Sequence, residues 1–421
     1  MFAKFKELVH DSLRWSETYT RTDMLYATRG GFWLVLAKIV GLSASLLFAV
    51  AMANLVPPEV FGTYKFVISG AAIIGAFSLI GIGTAITQAV ARGYEGALSQ
   101  GTASYLKWSL GIVAMSIAIS IYYFANGNSV LAIAFLIAGA CNPIITGFSF
   151  AGQFISGKKD FKAFSINDTL RNAAPALAVI AVVFFTTNPV LIIAVFFVSS
   201  VVTNVALYHS TVRKFRPNNR VDPQTIPYAK HLSLMGIMVK VAENIDKVLV
   251  FHYLGATQLA VYAFAQTPIG NLKLLNDIPA RLALPKLSER NFSELRSSLP
   301  RKVFLLVGLM VVIVGLYIAF APLIFRLLFP AYLDSVIYTQ VLALSLIFAP
   351  GTMYGEALTA HMRKKELYLS QAVLPIAKIL LLLLLLPPFG IWGAVATIII
   401  SQFLTFVLYA LQFWRVRPET A

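Results

Sequence analysis

Apolar residues run through this chain in long stretches broken by short polar connections, without the period-two alternation of half-buried strands. About 20 consecutive apolar residues suffice to cross a bilayer as a helix. Twelve stretches qualify: 31–55, 61–90, 104–124, 130–155, 172–187, 190–211, 231–253, 258–281, 302–322, 335–360, 367–387 and 390–414. Alternate connections are very short, such as Pro57-Pro58-Glu59, Asn126-Gly127-Asn128, Thr187-Asn188-Pro189, Gly255-Ala256-Thr257 and Pro387-Pro388-Phe389-Gly390, and the longest of that set is 322–334. None is large enough to fold as a domain. On the other side the longest connection is 212–230, rich in Arg, Lys, Pro and Asn and near the middle of the chain. The pattern predicts an all-α polytopic membrane protein of about twelve transmembrane helices. Its two pseudo-symmetric lobes of six helices, 30–211 and 231–421, are joined by the linker 212–230. Ahead of the first stretch, Phe2, Phe5, Leu8 and Leu13 recur at helical spacing opposite Lys4, Lys6, Glu7, Asp11 and Arg14. Residues 1–29 therefore read as an amphipathic helix lying in the interface. No cleavable signal peptide is recognised there, and the first span would act as a signal anchor.

The halves resemble one another. Tyr64-Lys65-Phe66 enters the second span and Tyr262-Ala263-Phe264 the eighth; Arg92 and Arg290 follow at the same offset. Both halves begin on one side and hold an even number of spans, so they run parallel about an axis along the membrane normal.

Charge orients the pattern. Of 34 Lys and Arg, 27 fall at one end of the alternating spans; only Lys65 and Arg326 are assigned to the opposite connections. Cationic loops stay in the cytoplasm, which places both termini there. The net charge of +16 is thereby explained by loops that meet anionic headgroups, and nucleic acid is not implied. A chain 58% hydrophobic and 12% charged, with mean hydropathy +0.77, is excluded from the soluble class. Cys141 has no second cysteine to pair with and reads as a small buried residue.

Nine ionisable residues lie inside the spans: Lys38, Lys240, Lys247, Lys273, Lys378, Glu243, Asp246, Asp277 and Glu356. Each costs about 2.5–3.5 kcal/mol at the bilayer centre even on lenient scales, so they face a polar interior or one another. At 100° per residue, Lys240, Glu243 and Lys247 form one stripe on span 7, with Asp246 turned towards a neighbouring helix. Two readings stay open for Glu243–Lys247 and Lys273–Asp277: internal ion pairs that lock helices together, or groups lining a path. Lys38 and Lys378 have no acid within their own spans and point more strongly to a ligand; Lys378 follows Pro375, which frees a backbone carbonyl. The five lysines form a candidate substrate-binding set for an anion, and the four carboxylates are candidates for ion coupling. No catalytic or metal motif stands beside them: the five histidines are dispersed and no HExxH, P-loop or cysteine cluster occurs.

Several segments carry a family resemblance: Leu36-Ala37-Lys38-Ile39, Pro58-Glu59-Val60-Phe61-Gly62, Gly81-Ile82-Gly83, Asn244-Ile245-Asp246-Lys247, Leu284-Pro285-Lys286-Leu287-Ser288 and Phe389-Gly390-Ile391-Trp392-Gly393. In their order and spacing the chain resembles the Wzx-type oligosaccharide flippases of the multidrug/oligosaccharidyl-lipid/polysaccharide exporter superfamily. The resemblance implies a V of two lobes with alternating access in a bacterial inner membrane. It implies an undecaprenyl-pyrophosphate-linked oligosaccharide, such as an O-antigen unit, as cargo moved from the cytoplasmic to the outer leaflet. It also implies coupling to H+ or Na+ with no cofactor, and a polysaccharide polymerase and glycosyltransferases as partners alongside membrane lipids. The alternatives are a multidrug cation antiporter of the same superfamily, whose cargo would favour an acidic cavity, the lipid II flippase branch, which typically has fourteen spans where this chain offers twelve, and a membrane enzyme of glycan assembly, for which no extramembrane loop is large enough.

Overall fold

A computed structural model describes residues 24–288 and 291–416, with the side chains of 24–32, 34, 35, 274–286, 288 and 364 outside that description. The expected interfacial helix over 1–29 therefore lies almost wholly outside the described residues. The first lobe runs α1 Met24–Leu55, α2 Pro58–Ala76, α3 Ile82–Ala91, α4 Ala97–Trp108, α5 Leu110–Ala125, α6 Ser129–Gly157, α7 Phe161–Val183 and α8 Pro189–Phe215. The second runs α9 Thr225–Ser288, α10 Phe292–Leu328, α11 Ser335–Ala343, α12 Thr352–Ala360, α13 Lys364–Phe389 and α14 Ile391–Arg415. Together they make twelve passes in two lobes.

Nine of the described helices are long and apolar enough to cross a membrane. Two passes fall short of that measure for visible reasons. The second is broken at residues 77–81 into α2 and α3, where a single span over 61–90 was expected. The fifth carries Lys162, Asp168 and Arg171 in its first half, and it begins at Phe161 instead of the expected 172 because Asp160 caps it, accepting a hydrogen bond from Ala163 N at 2.9 Å. Passes seven and eight count as one, because α9 continues through a kink at Gly255 where φ is 86°. Only glycine adopts that backbone freely, so the expected outside connection 255–257 shrinks to one residue. Likewise Pro387 and Pro388 stay inside α13, and the turn is made at Gly390, φ 57°.

Burial separates the two ends. At the short-loop end one core joins both lobes, with Met52, Val67, Phe135 and Phe197 packed together with Val250, Phe264, Phe325 and Leu386. At the basic end the described residues form two cores. One holds Ile82, Ile86, Tyr105 and Phe154, with Ala229 from the start of α9; the other holds Leu295, Leu299, Met353 and Phe413. Among the described residues the lobes thus share one core at one end and keep separate cores at the other. The linker Arg216–Gln224 is fastened to the first lobe: Arg92 pairs with Asp222 at 2.6 Å, and Gly96 N donates to Arg220 O at 2.9 Å. Glu95 joins them, taking hydrogen bonds from Lys158 Nζ at 2.6 Å and Asn218 N at 3.0 Å.

Candidate functional site

The seam between the lobes is made by α2 against α9. The Phe66 and Phe251 rings stack at 3.9 Å, the Phe61 and Phe264 rings lie 4.5 Å apart, and Gly62 passes so close to Ala256 that any Cβ would overlap its carbonyl. Below the Phe251 contact, one turn towards the basic end of the same helix, lies Lys247.

Asp246 anchors the charges around it. It is 1% exposed, and four contacts hold its carboxylate: Lys247 Nζ at 3.2 and 3.3 Å, Tyr262 OH at 3.0 Å and Gln266 Nε2 at 3.0 Å. Tyr262 and Gln266 sit one turn apart on pass eight, so the expected turn of Asp246 towards a neighbouring helix is fulfilled by that pass. Across from it, Lys378 Nζ donates to the backbone carbonyl of Ala242 at 2.5 Å. It lies within electrostatic range of Asp246, Lys247, Glu243 and Lys273. Lys378 is therefore short of acids only within its own helix; α9 presents two to it.

The stripe on pass seven pairs differently from the intrahelical expectation. Glu243 binds Lys240 at 2.7 Å, both about half exposed, while Lys247 turns its ammonium to Asp246 and reaches only the backbone carbonyl of Glu243, at 3.5 Å. The buried carboxylate wins because a charge in low dielectric gains more from a partner than a hydrated one does. Lys273 is exposed. Asp277 lies among the side chains outside the description, so the Lys273–Asp277 pair has no structural counterpart here.

Two candidates lie elsewhere. Lys38 is exposed on α1, which packs on α7 and on the turn Pro330–Tyr332, and no described contact brings it to the network. Glu356 lies on α12 at the basic end, within electrostatic range of Tyr409. In exchange the structure adds Lys65. Sequence reasoning assigned it to an outside connection, but α2 begins at Pro58, so Lys65 is helical, half-buried, with Nζ 5.2 Å from the Phe61 ring centre and within electrostatic range of Lys247. The signal was present in proline at the first helical position followed by Glu59. Tyr262 was legible through the repeat; Gln266 follows it by four residues.

Lys240 and Lys247 pair with Glu243 and Asp246, Lys378 lies within electrostatic range of both carboxylates, and Lys65 and Lys273 lie within range of Lys247 and Lys378 respectively. Such a set suits an anion and repels a cation. Both oxygens of Asp246 are occupied by hydrogen donors, which leaves it poorly suited to coordinate Na+.

A family model described as "Polysaccharide biosynthesis protein" matches residues 27–291. That is more than half of the chain. The chain belongs to this family. Among solved structures it resembles the lipid II flippase MurJ in an inward closed conformation, with TM-score 0.68 at 14% identity, covering 91% of this chain and 87% of that one. It also resembles an inward-facing multidrug resistance MATE transporter of the MOP superfamily, with TM-score 0.66 at 13% identity over 89% of this chain and 97% of that one. A third likeness is to a MOP superfamily transporter from Pyrococcus furiosus described as having a binding pocket of reverse polarity, TM-score 0.57 at 14% identity over 91% of this chain and 95% of that one. No curated protein matches by sequence. At these identities the structural likenesses establish the fold: this polysaccharide-biosynthesis family member is a multi-pass protein with the two-lobe architecture of flippases and multidrug transporters.

Proposed function

We propose that the chain flips a lipid-linked oligosaccharide, in the reading favoured here an undecaprenyl-pyrophosphate-linked repeat unit, by alternating access. The lysine network at the diverging seam carries the reading. A pyrophosphate needs several point charges in a wet cleft, and lysines on both lobes supply them. Lys65 stands on the first lobe and Lys247, Lys273 and Lys378 on the second, so one anion held between them draws the lobes together across the cleft. Loading from the basic end, taken as cytoplasmic from the loop charges, makes the splayed form the loading state in a bacterial inner membrane. Release follows when the short-loop end parts. Asp246 serves as the fixed counter-charge that lets Lys247 and Lys378 share one site when it is empty. Glu243, Glu356 and Asp277 are the candidates for H+ or Na+ coupling.

The fold is shared with multidrug transporters, but a cationic drug would meet five ammonium groups here. One experiment separates the readings. In cells that lack their own flippase, the triple variant Asp246→Asn, Lys247→Gln, Lys378→Gln, which removes the buried carboxylate together with its two cations, is expected to reach the membrane in normal amounts and to leave lipid-linked glycan on the cytoplasmic leaflet. Full glycan export by that variant, or export of cationic dyes by the wild type, contradicts the proposal.

A further inference from the structure

Far from the seam, α8 carries a cluster that the transport cycle described above does not use. A cavity of about 730 Å³ opens at its basic end, lined among the described residues by Ala206, His209, Ser210, Arg213 and Lys214. These positions recur at three- and four-residue intervals and so occupy one helix face. Lys214 has a distant carboxylate, Asp160 at 3.7 Å, and lies over the Phe215 ring at 4.8 Å. Arg213 is exposed and has no acidic partner among the described residues. His209 is backed by the rings of Phe148 and Tyr208 at 6.4 and 6.0 Å.

Above this cationic floor the same face turns apolar. Val202 is 63% exposed, Val198 53% and Leu191 47%. From Arg213 to Val202 the helix rises about 16 Å, half of the roughly 30 Å hydrocarbon thickness. An anionic head with an apolar tail of one leaflet's depth fits both parts at once. A free anion uses only the floor.

We propose that this face of α8 is a binding site for the phosphate headgroup of an anionic membrane phospholipid, whose acyl chain lies along Val202 and Val198. Arg213 grips the phosphate through its planar fork, Lys214 adds a point charge, and Ser210 and His209 donate or accept hydrogen bonds at its rim. Asp160 lightens the charge on Lys214, which leaves Arg213 as the principal contact. The site sits in the leaflet that faces the basic loops.

The test uses the full chain in a neutral detergent, with thermal melting followed as short-chain phosphatidylglycerol, phosphatidylcholine or inorganic phosphate is added. Phosphatidylglycerol is expected to raise the melting temperature, and the other two to leave it in place. Arg213→Gln is expected to weaken the apparent affinity about tenfold, the effect of losing one charge-assisted contact. Ala206→Trp, which fills the cavity without touching a charge, is expected to abolish the shift. Native mass spectrometry of whichever variant is folded counts retained lipid as a second readout. Equal stabilisation of wild type and both variants, no effect of phosphatidylglycerol, or an equal effect of inorganic phosphate overturns the proposal.

Discussion

The two ends of the molecule solve the same packing problem in opposite ways. At the short-loop end, aromatic rings and a glycine bring α2 and α9 into contact, and one core runs through both lobes. At the basic end each lobe keeps its own core among the described residues, where the elements that cross are the start of α9 and the linker. An apolar seam that parts must expose its rings to water, whereas splayed lobes with closed cores can approach or separate with little change in buried apolar area. The difference teaches where the molecule is built to move: the basic end is cheap to open and close, and the seam sets the cost of the opposite state. The charge network sits at the boundary between these regimes, where a ligand can bias either.

The largest effect is expected where that boundary is anchored. Asp246→Asn removes the one buried carboxylate among Lys247, Lys378, Tyr262 and Gln266, and leaves two cations uncompensated. Breaking a buried pair typically costs about 3–5 kcal/mol. Thermal melting in detergent should show a large fall in stability, and a melting temperature equal to wild type would show that the network is hydrated and open. Next comes the seam itself. Gly62→Val must push α2 from the Ala256 carbonyl, and overpacking of this kind costs about 1–3 kcal/mol. Cysteine accessibility at the short-loop end should rise in that variant, while accessibility at the basic end stays unchanged.

Smaller effects test the surface parts. The Glu243–Lys240 pair is half-exposed, and exposed pairs contribute about 0–1 kcal/mol, so Glu243→Gln should barely move the melting temperature. A strong fall would place Glu243 in a drier site than its exposure indicates. The linker responds to pH. The hydrogen bond from Lys158 holds the Glu95 carboxyl below the usual carboxylate range, helped by Asn218. Because the folded value is depressed, Glu95's contribution is complete above its unfolded value of about 4.3 and disappears as pH falls through the folded value. The protection of amides in residues 216–224 from hydrogen exchange, corrected for the intrinsic pH dependence of exchange, should therefore fall in acid, and Glu95→Gln should remove that dependence.

Much of this was legible in the chain, and the misses share a cause. The twelve passes and the two lobes follow from apolar runs and turn residues, because a bilayer admits few other solutions for a backbone that must satisfy its own hydrogen bonds. Tyr64 and Tyr262, matched by the repeat, are both buried in the shared core. Errors arose where polarity hid a helix. Lys65 looked like a loop residue, and Asp160 capped a helix whose first turns were too charged to read as a span. Helix spacing showed that Asp246 turns towards a neighbouring helix but not which side chains meet it there. It left open whether Glu243 meets Lys247 or lines a path, and the approach of Lys378 to Asp246, from passes far apart in sequence, could not be read at all.

Distances between the lobes at both ends test the two-ended design most directly. Spin labels replace exposed Tyr94 on the first lobe and Met362 on the second at the basic end, with a matching pair at Phe124 and Leu333 at the short-loop end. In the purified, cargo-free protein the basic-end pair should give a long, broad distribution and the short-loop pair a narrow one. Adding a pyrophosphate-linked lipid should shorten the first distance. Distributions that are equally narrow at both ends, and unmoved by the lipid, would contradict a molecule fused at one end and open for loading at the other.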